Sequence, residues 1–218
     1  MPQIFRPSAN TIARIVLVAI LAGPFLLIGL AYAVMRSPYT TGQDVALTQP
    51  IPFSHKHHVG DDGIDCRYCH TSVETAAFAG LPPTTTCMTC HSQMFTNAAM
   101  LAPVRDSLVE HRPIHWQRVH RLPAYVYFDH SVHVQNGIGC STCHGAVDEM
   151  PLMRQAAPLT MGWCLDCHRN PAPNLRPQSE IFNLHWTPPQ DQAAEGRKLL
   201  VQYHIDTEHL TDCSRCHR

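Results

Sequence analysis

The chain has 218 residues, of which 10 are cysteine, 16 are histidine and 18 are proline, while only 15% are charged. Its formal net charge of −1 excludes the strongly basic field with which proteins bind nucleic acid, so we expect no nucleic-acid partner. Ten cysteines suit disulfides, zinc sites or a covalently attached cofactor, and only their spacing distinguishes these.

The first element in chain order is an uncharged apolar run, residues 15–34, with Arg6 and Arg14 before it and Arg36 after it. A run of this length can cross a bilayer as one helix, and it exceeds the apolar region of about 7 to 15 residues in a signal peptide. The alternative is a signal peptide cleaved after Ala31-Tyr32-Ala33. We expect a membrane anchor over residues 1–36, with a single transmembrane helix at about 15–34.

Every cysteine after the anchor belongs to one repeated pattern, Cys-x-x-Cys-His, which we call a haem word. Two thiols at this spacing form thioethers with a porphyrin, and the adjacent imidazole binds its iron as the proximal ligand. Zinc sites would leave the trailing histidines unexplained, and disulfides would not repeat one spacing. The words predict five covalently attached haem c groups, held by Cys66, Cys69, Cys87, Cys90, Cys140, Cys143, Cys164, Cys167, Cys213 and Cys216, with His70, His91, His144, His168 and His217 on the irons.

A second pattern, Phe-x-His-x-x-His, precedes the first and third words. It runs from Phe53 through His55 to His58, and again from Phe128 through His130 to His133. An iron that only carries electrons needs a sixth ligand. Histidines three residues apart on a short helix leave from the same side but one turn apart, so they can serve two different irons. The repeat predicts two diheme modules, at about 53–91 and 128–168, with the fifth haem at 213–217.

The rest of the chain has little that predicts a conventional hydrophobic core. Proline-rich segments such as LPPTTT and TPPQ predict turns, and residues 190–203 form the best remaining helix candidate although they include Gly196. We expect residues 37–218 to form one extracytoplasmic domain. Its fold class is a multihaem cytochrome c, in which short helices and loops pack around five haems.

Phe-x-His-x-x-His followed by Cys-x-x-Cys-His resembles the class III multihaem cytochromes of the cytochrome c7 type. That resemblance implies that the first histidine of each pair serves the nearest haem and the second a neighbouring one. The stretch 113–171, including PIHWQRVHRLPAYVYFDHSVH and PLTMGWCLDCHRNP, resembles the pentahaem subunit of bacterial alternative complex III, a quinol-oxidising assembly. This second resemblance implies polytopic quinol-binding membrane subunits, an iron–sulfur subunit and a monohaem cytochrome c as partners.

The fifth haem has no histidine pair of its own, so its distal ligand comes from elsewhere. His120 is favoured because it lies outside both modules, is followed by Pro123, and resembles a ligand-bearing stretch of the complex III family. His209 lies only four residues before Cys213, which is too short a loop to cross the haem. The alternatives that stay open are His204, His115, Met153 and Met161.

Together these patterns predict an electron carrier with no catalytic residue of its own. Electrons would pass from a membrane quinol-oxidising complex through five haems to a periplasmic cytochrome c or copper protein. Haem thioethers are made outside the cytoplasm, so we expect a single-pass protein of the cytoplasmic membrane with a cytoplasmic N-terminus. The alternatives are a free-standing membrane-anchored quinol dehydrogenase and a multihaem reductase with one open iron.

Overall fold

The structure, a computed structural model, describes residues 5–6 and 8–217, and the chain divides into two compact units, Met1–Gln43 and Asp44–Arg218. In the first unit, helix α1 (Ala9–Arg36) contains the whole apolar run and is followed by the short helix α2 (Pro38–Thr41). An 18-residue window of helix α1 has a mean hydropathy of 2.5, and the helix buries none of its residues, so it is long and apolar enough to cross a membrane. The start of the predicted anchor, residues 1–4, lies outside the described residues.

The second unit is built from short helices joined by loops. Among the described residues, extended segments pair at isolated bridges, such as Val126 with His217 and Ile138 with Leu175, rather than in a sheet. A π-helical turn covers Lys56–Asp61, and single 3-10 turns cover Ala99–Leu101, Val147–Glu149, Ala172–Asn174 and Gln178–Glu180. The α-helices are α3 (Cys66–Cys69), α4 (Thr84–His91), α5 (Ala102–Glu110), α6 (His130–Gln135), α7 (Cys140–His144), α8 (Met161–Arg169), α9 (Gln192–Gln202) and α10 (Cys213–Cys216).

The protein side chains of this unit form only a small apolar core. Its one cluster in the described part of the chain consists of Val73, Val134 and Ile181, with Cys140 and Phe182 packed against it. A domain of this size ordinarily buries most of the surface that its unfolded chain exposes. The short helices and the sparse core are what a domain organised around bound macrocycles requires.

Helix α9 lies within the predicted range 190–203, and its glycine has a packing reason. A Cβ on Gly196 would lie 1.9 Å from the backbone oxygen of Ala172, so no larger residue fits without moving the chain. The same contact is held by Gln192, whose Nε2 donates a 2.6 Å hydrogen bond to the Leu175 oxygen. The glycine weakens the helix intrinsically but allows it to dock closely.

Candidate haem sites

Each haem word forms a helical turn, α3, α7 or α10, or lies in a longer helix, α4 or α8. In the first word the Asp65 carboxylate accepts a 2.8 Å hydrogen bond from the Arg67 amide and so caps α3. The backbone N–H of His70 donates to the Cys66 oxygen at 2.8 Å, which closes the turn. One helical turn brings both thiols and the following imidazole to the same side, as attachment to one porphyrin requires.

Three of the predicted distal histidines face proximal histidines across a gap of constant width. Metal–imidazole bonds of about 2.0 to 2.1 Å, with roughly 1.1 Å more from nitrogen to ring centre, place two axial rings about 6 Å apart. The gap therefore fits one iron in each case. The ring centres are 6.1 Å apart for His58 with His91, 6.3 Å for His130 with His144, and 6.1 Å for His133 with His168.

The second ring nitrogen of most of these histidines is held by the backbone. A metal-binding imidazole usually donates its other N–H to a carbonyl or carboxylate, which selects the tautomer and turns the free nitrogen to the metal. The Nδ1 atoms of six histidines lie within hydrogen-bond distance of a carbonyl oxygen, so Nε2 is the nitrogen with which each could bind an iron. The partners are Ser54 for His58 (2.9 Å), Gly80 for His70 (2.7 Å), Met94 for His91 (3.3 Å), Ala77 for His130 (2.8 Å), Asp129 for His133 (2.8 Å) and Leu210 for His168 (2.9 Å).

His55 lies close to His70, its predicted partner. Burial, followed by the nearby His70 and His58, lowers the pKa of His55 to about 4, so its imidazole is neutral at physiological pH. Neutral imidazole is the form that binds a metal. Its Nδ1 is buried without a hydrogen-bond partner in the described part of the chain. The pairing of His55 with the first haem stays a prediction that this proximity favours.

The aromatic residue of each Phe-x-His-x-x-His motif orients both of its histidines. Phe53 meets His55 edge-on with ring centres 4.9 Å apart, and it stacks on His58 at 4.4 Å. Phe128 meets His130 edge-on at 4.8 Å and stacks on His133 at 4.3 Å. The sequence shows that phenylalanine repeats, but its contacts with both rings emerge only from the structure.

His120, the predicted ligand of the fifth haem, lies beside the third word. Its Nε2 is 3.2 Å from Nδ1 of His144, and the two ring centres are 4.4 Å apart. The ring of His217, by contrast, stacks on that of Tyr125, with ring centres 5.8 Å apart. The assignment of His120 to the fifth haem therefore stays a prediction, and these contacts do not bring His120 to His217.

Other histidines are engaged with carboxylates. His57 is exposed and lies within 3.7 Å of Asp61 and 3.5 Å of Asp62. His209 Nδ1 lies 3.1 Å from Asp212. The ring of His57 therefore lies at the surface, beside two carboxylates.

What sequence reasoning missed is the set of atoms that hold the ligands. The acceptors of the Nδ1 hydrogen bonds are mostly backbone oxygens, which carry no residue signature. The motif residue Ser54 or Asp129 could have been suspected, because each lies four residues before the histidine that its oxygen accepts from. The others, such as Leu210 for His168, are distant in sequence and become neighbours only on folding.

Haem words with paired, backbone-locked imidazoles define a multihaem c-type cytochrome. The family model described as cytochrome c7 and related cytochrome c matches residues 126–218. The protein named "Menaquinone reductase, multiheme cytochrome c subunit" from Nitratidesulfovibrio vulgaris is 38% identical over 170 residues, which are 78% of this chain and 67% of the relative. The chain therefore belongs to the family of multihaem cytochromes c that includes this relative, its residues 126–218 are similar to cytochrome c7, and it is a haem protein of electron transport.

Proposed function

We propose that this chain is the electron-transfer subunit of a membrane quinone or quinol oxidoreductase and that it carries five haem c groups, one on each word. Each bound haem supplies one-electron exchange at its iron. The observation that carries the proposal is the set of three imidazole pairs about 6 Å apart, with Nδ1 held by carbonyl oxygens in all but one ring. Each such pair would supply two imidazole ligands to one iron and leave it no open position, so that haem would exchange electrons rather than bind substrate.

We number the haems 1 to 5 in the chain order of their words. Haems 1 and 2 would be neighbours because Tyr68, inside the first word, shares a 2.8 Å hydrogen bond with Thr89, inside the second. The pKa of Cys69 is raised by burial and next by the Cys87 thiol. Because Cys87 is close enough to have this effect, the two words lie side by side. Their distal ligands, His55 and His58, come from one helical turn.

Haems 1 and 3 would meet where the two modules join. The thiol of Cys66 contacts the thiol of Cys140. The junction is held by His130, whose backbone N–H and Nδ1 both lie within hydrogen-bond distance of the Ala77 oxygen, at 3.2 and 2.8 Å. Gln135 Nε2 adds a 2.9 Å bond to the Glu74 oxygen.

The remaining haems would follow along the second module. Burial, and then Cys167 and Cys164, raise the pKa of Cys143 to about 12. Burial, and then Cys216, raise the pKa of Cys164. These neighbours support a single row of haems in the order 2, 1, 3, 4, 5, which differs from the order of the words in the chain. Electrons would then enter at one end of the row and leave at the other.

Mass spectrometry and carbon monoxide binding test the proposal that the chain carries five haems whose irons all have two protein ligands. Full-length protein matured with the c-type haem machinery should carry five haems, show low-spin spectra, and bind little carbon monoxide when reduced, because distal ligands occupy the irons. Fewer than five haems would overturn the count. Strong carbon monoxide binding by one haem would instead favour the reductase alternative with an open iron.

The membrane placement is part of the proposal. We infer that residues 1–36 anchor the chain through α1, with the N-terminus cytoplasmic and residues 37–218 as the periplasmic or extracellular haem domain. Replacing the segment before Arg36 with a cleavable signal should release a soluble haem protein, because the long apolar helix is gone. Protein that still sediments with membranes lacking partner subunits would contradict a single anchor.

We further propose partners of the alternative complex III type: polytopic quinol-binding subunits, an iron–sulfur subunit and a monohaem cytochrome c. In that setting electrons flow from quinol to a periplasmic cytochrome c or copper protein. Purification of the tagged full-length chain in mild detergent from its own membranes should recover these subunits together. Recovery of the chain alone would favour the free-standing quinol dehydrogenase.

The opposite direction of electron flow is a second candidate, because the 38% identical relative is named a menaquinone reductase subunit. The two directions separate in one assay on the purified complex. Quinol-dependent reduction of the haems, followed by reduction of an added cytochrome c, supports quinol oxidation. Haem reduction by a reduced cytochrome, with loss of menaquinone, supports quinone reduction.

A further inference from the structure

His144 is the exception among the proximal histidines whose second nitrogen has a partner. Where His70, His91 and His168 turn Nδ1 to backbone oxygens, His144 turns it to the side chain of His120, at 3.2 Å from Nε2. The two rings are inclined at 75°, and the distance between the two nitrogens suits a hydrogen bond.

Three imidazoles therefore cluster at this site. The ring centre of His144 lies 6.3 Å from that of His130, with planes within 7° of parallel, and 4.4 Å from that of His120. Iron would occupy the wider gap. With Nε2 of His144 on that iron, its Nδ1 carries the proton and donates to Nε2 of His120.

We propose that His120 is a positioning residue for haem 3. By accepting a hydrogen bond from the proximal His144, His120 lowers the reduction potential of that haem. The inference rests on the proposed function, since it needs a haem on the third word. An imidazole nitrogen is a stronger base than a backbone carbonyl oxygen, so it draws the Nδ1 proton further from His144. The ring then donates more electron density to iron, which stabilises the ferric form.

The site favours this role because His120 and His144 are both partly buried. A hydrogen bond that is partly shielded from water is stronger than one in bulk water. Its loss would leave the His144 N–H without an acceptor, and the ring free to turn.

The rival role is the one that sequence analysis favoured, in which His120 is the distal ligand of haem 5. That role needs Nε2, the usual iron-binding nitrogen, which here contacts His144. The two roles differ in what the loss of His120 does. Loss of a ligand opens an iron, whereas loss of a hydrogen-bond acceptor leaves all irons six-coordinate and changes one potential.

The test compares full-length wild type with His120→Ala and His120→Gln, and it uses His57→Ala as the control because His57 is exposed and bound to carboxylates. Haem content is measured by mass, spin state by electron paramagnetic resonance, and potentials by redox titration. In His120→Ala we expect five low-spin haems, with one potential shifted upward. In His120→Gln the side-chain carbonyl can accept the hydrogen bond, so that potential should lie between the values of the wild type and His120→Ala. The control should match wild type.

Several outcomes overturn the inference. A new high-spin, carbon monoxide-binding haem in His120→Ala would make His120 an iron ligand. Unchanged potentials would remove the effect on haem 3, and equal potentials in the Ala and Gln variants would show that the hydrogen bond does not matter. A wild-type protein with no haem on Cys140 and Cys143 would instead defeat the proposed function itself.

Discussion

The two diheme modules reach the same local geometry from different backbones. The first pair of histidines begins a π-helical turn, whereas the second begins the α-helix α6. Even so, the stacked phenylalanine and second histidine are inclined at 22° in one module and 27° in the other, and the edge-on pairs at 86° and 88°. The spacing of the Phe-x-His-x-x-His motif, rather than the helix type, therefore sets how the rings are presented.

The modules differ outside the motif, where each contacts the rest of the chain. His130 in the second module bonds to the Ala77 oxygen of the first, while Nδ1 of the equivalent His55 is buried without a described partner. Gly80 holds His70, whereas a side chain, His120, holds His144. Duplicated residues keep their internal contacts, whereas the surroundings of the two copies differ.

The largest expected effect concerns the stability of the domain when one haem is lost. It tests whether the position of that haem in the proposed row matters more than the module to which it belongs. Cys140→Ala with Cys143→Ala should destabilise the domain by about 5 kcal/mol or more, because Cys140 packs on the only apolar cluster of the described residues. Cys87→Ala with Cys90→Ala should leave a folded four-haem protein, since Cys90 is exposed. Haem content by mass and protease resistance measure both. Equal stability of the two variants would contradict a central haem 3.

The next effect compares the second histidines of the modules. His58→Ala and His133→Ala should each convert one haem to a high-spin, carbon monoxide-binding state while the thioethers persist, because each imidazole faces a proximal ring at 6.1 Å. Electron paramagnetic resonance and the carbon monoxide difference spectrum measure this, with His57→Ala as the control. An unchanged low-spin spectrum in either variant would remove that ligand assignment.

A smaller effect concerns the phenylalanines. Phe53→Ala and Phe128→Ala should each lower the free energy of unfolding by about 2 kcal/mol, less than for a fully buried ring, since Phe128 is 36% exposed. The irons should stay low-spin, but the resonance of two haems per variant should shift as the unsupported imidazoles rotate. If only one haem responded, the phenylalanine would orient one histidine and not both.

The smallest expected effect concerns the residue between phenylalanine and histidine. The Asp129 carboxylate caps α6 by accepting from the Ser131 amide at 2.9 Å, and Ser54 Oγ accepts from the His57 amide at 3.1 Å. Asp129→Ala should cost about 1 kcal/mol of folding free energy, and Ser54→Ala a similar amount or less. Denaturant unfolding followed by circular dichroism compares them. If Ser54→Ala lost more folding free energy than Asp129→Ala, the π-helical turn would depend on its cap more than α6 does.

The sequence could predict much of the candidate site because covalent attachment of haem c imposes a strict local pattern. Cys-x-x-Cys-His has to span one porphyrin edge, so the thiols and proximal histidines need no tertiary information. Distal pairs such as His58 with His91 were reachable because the repeat marks them, and the structure now places their rings 6.1 Å apart. The fifth haem has no such repeat, and its distal ligand stays a prediction.

By itself the sequence determined the c-type cytochrome class, the short helices around the words and the long apolar helix α1, since each depends on neighbours a few residues apart. Only the tertiary structure decided that Cys66 meets Cys140, that Ala77 and Leu210 hold predicted ligands from other segments, and that His120 lies against His144. The physical reason is that a backbone oxygen has no sequence signature and a long-range contact has no fixed spacing. The chain therefore encodes its haem attachments locally and its haem environments through folding.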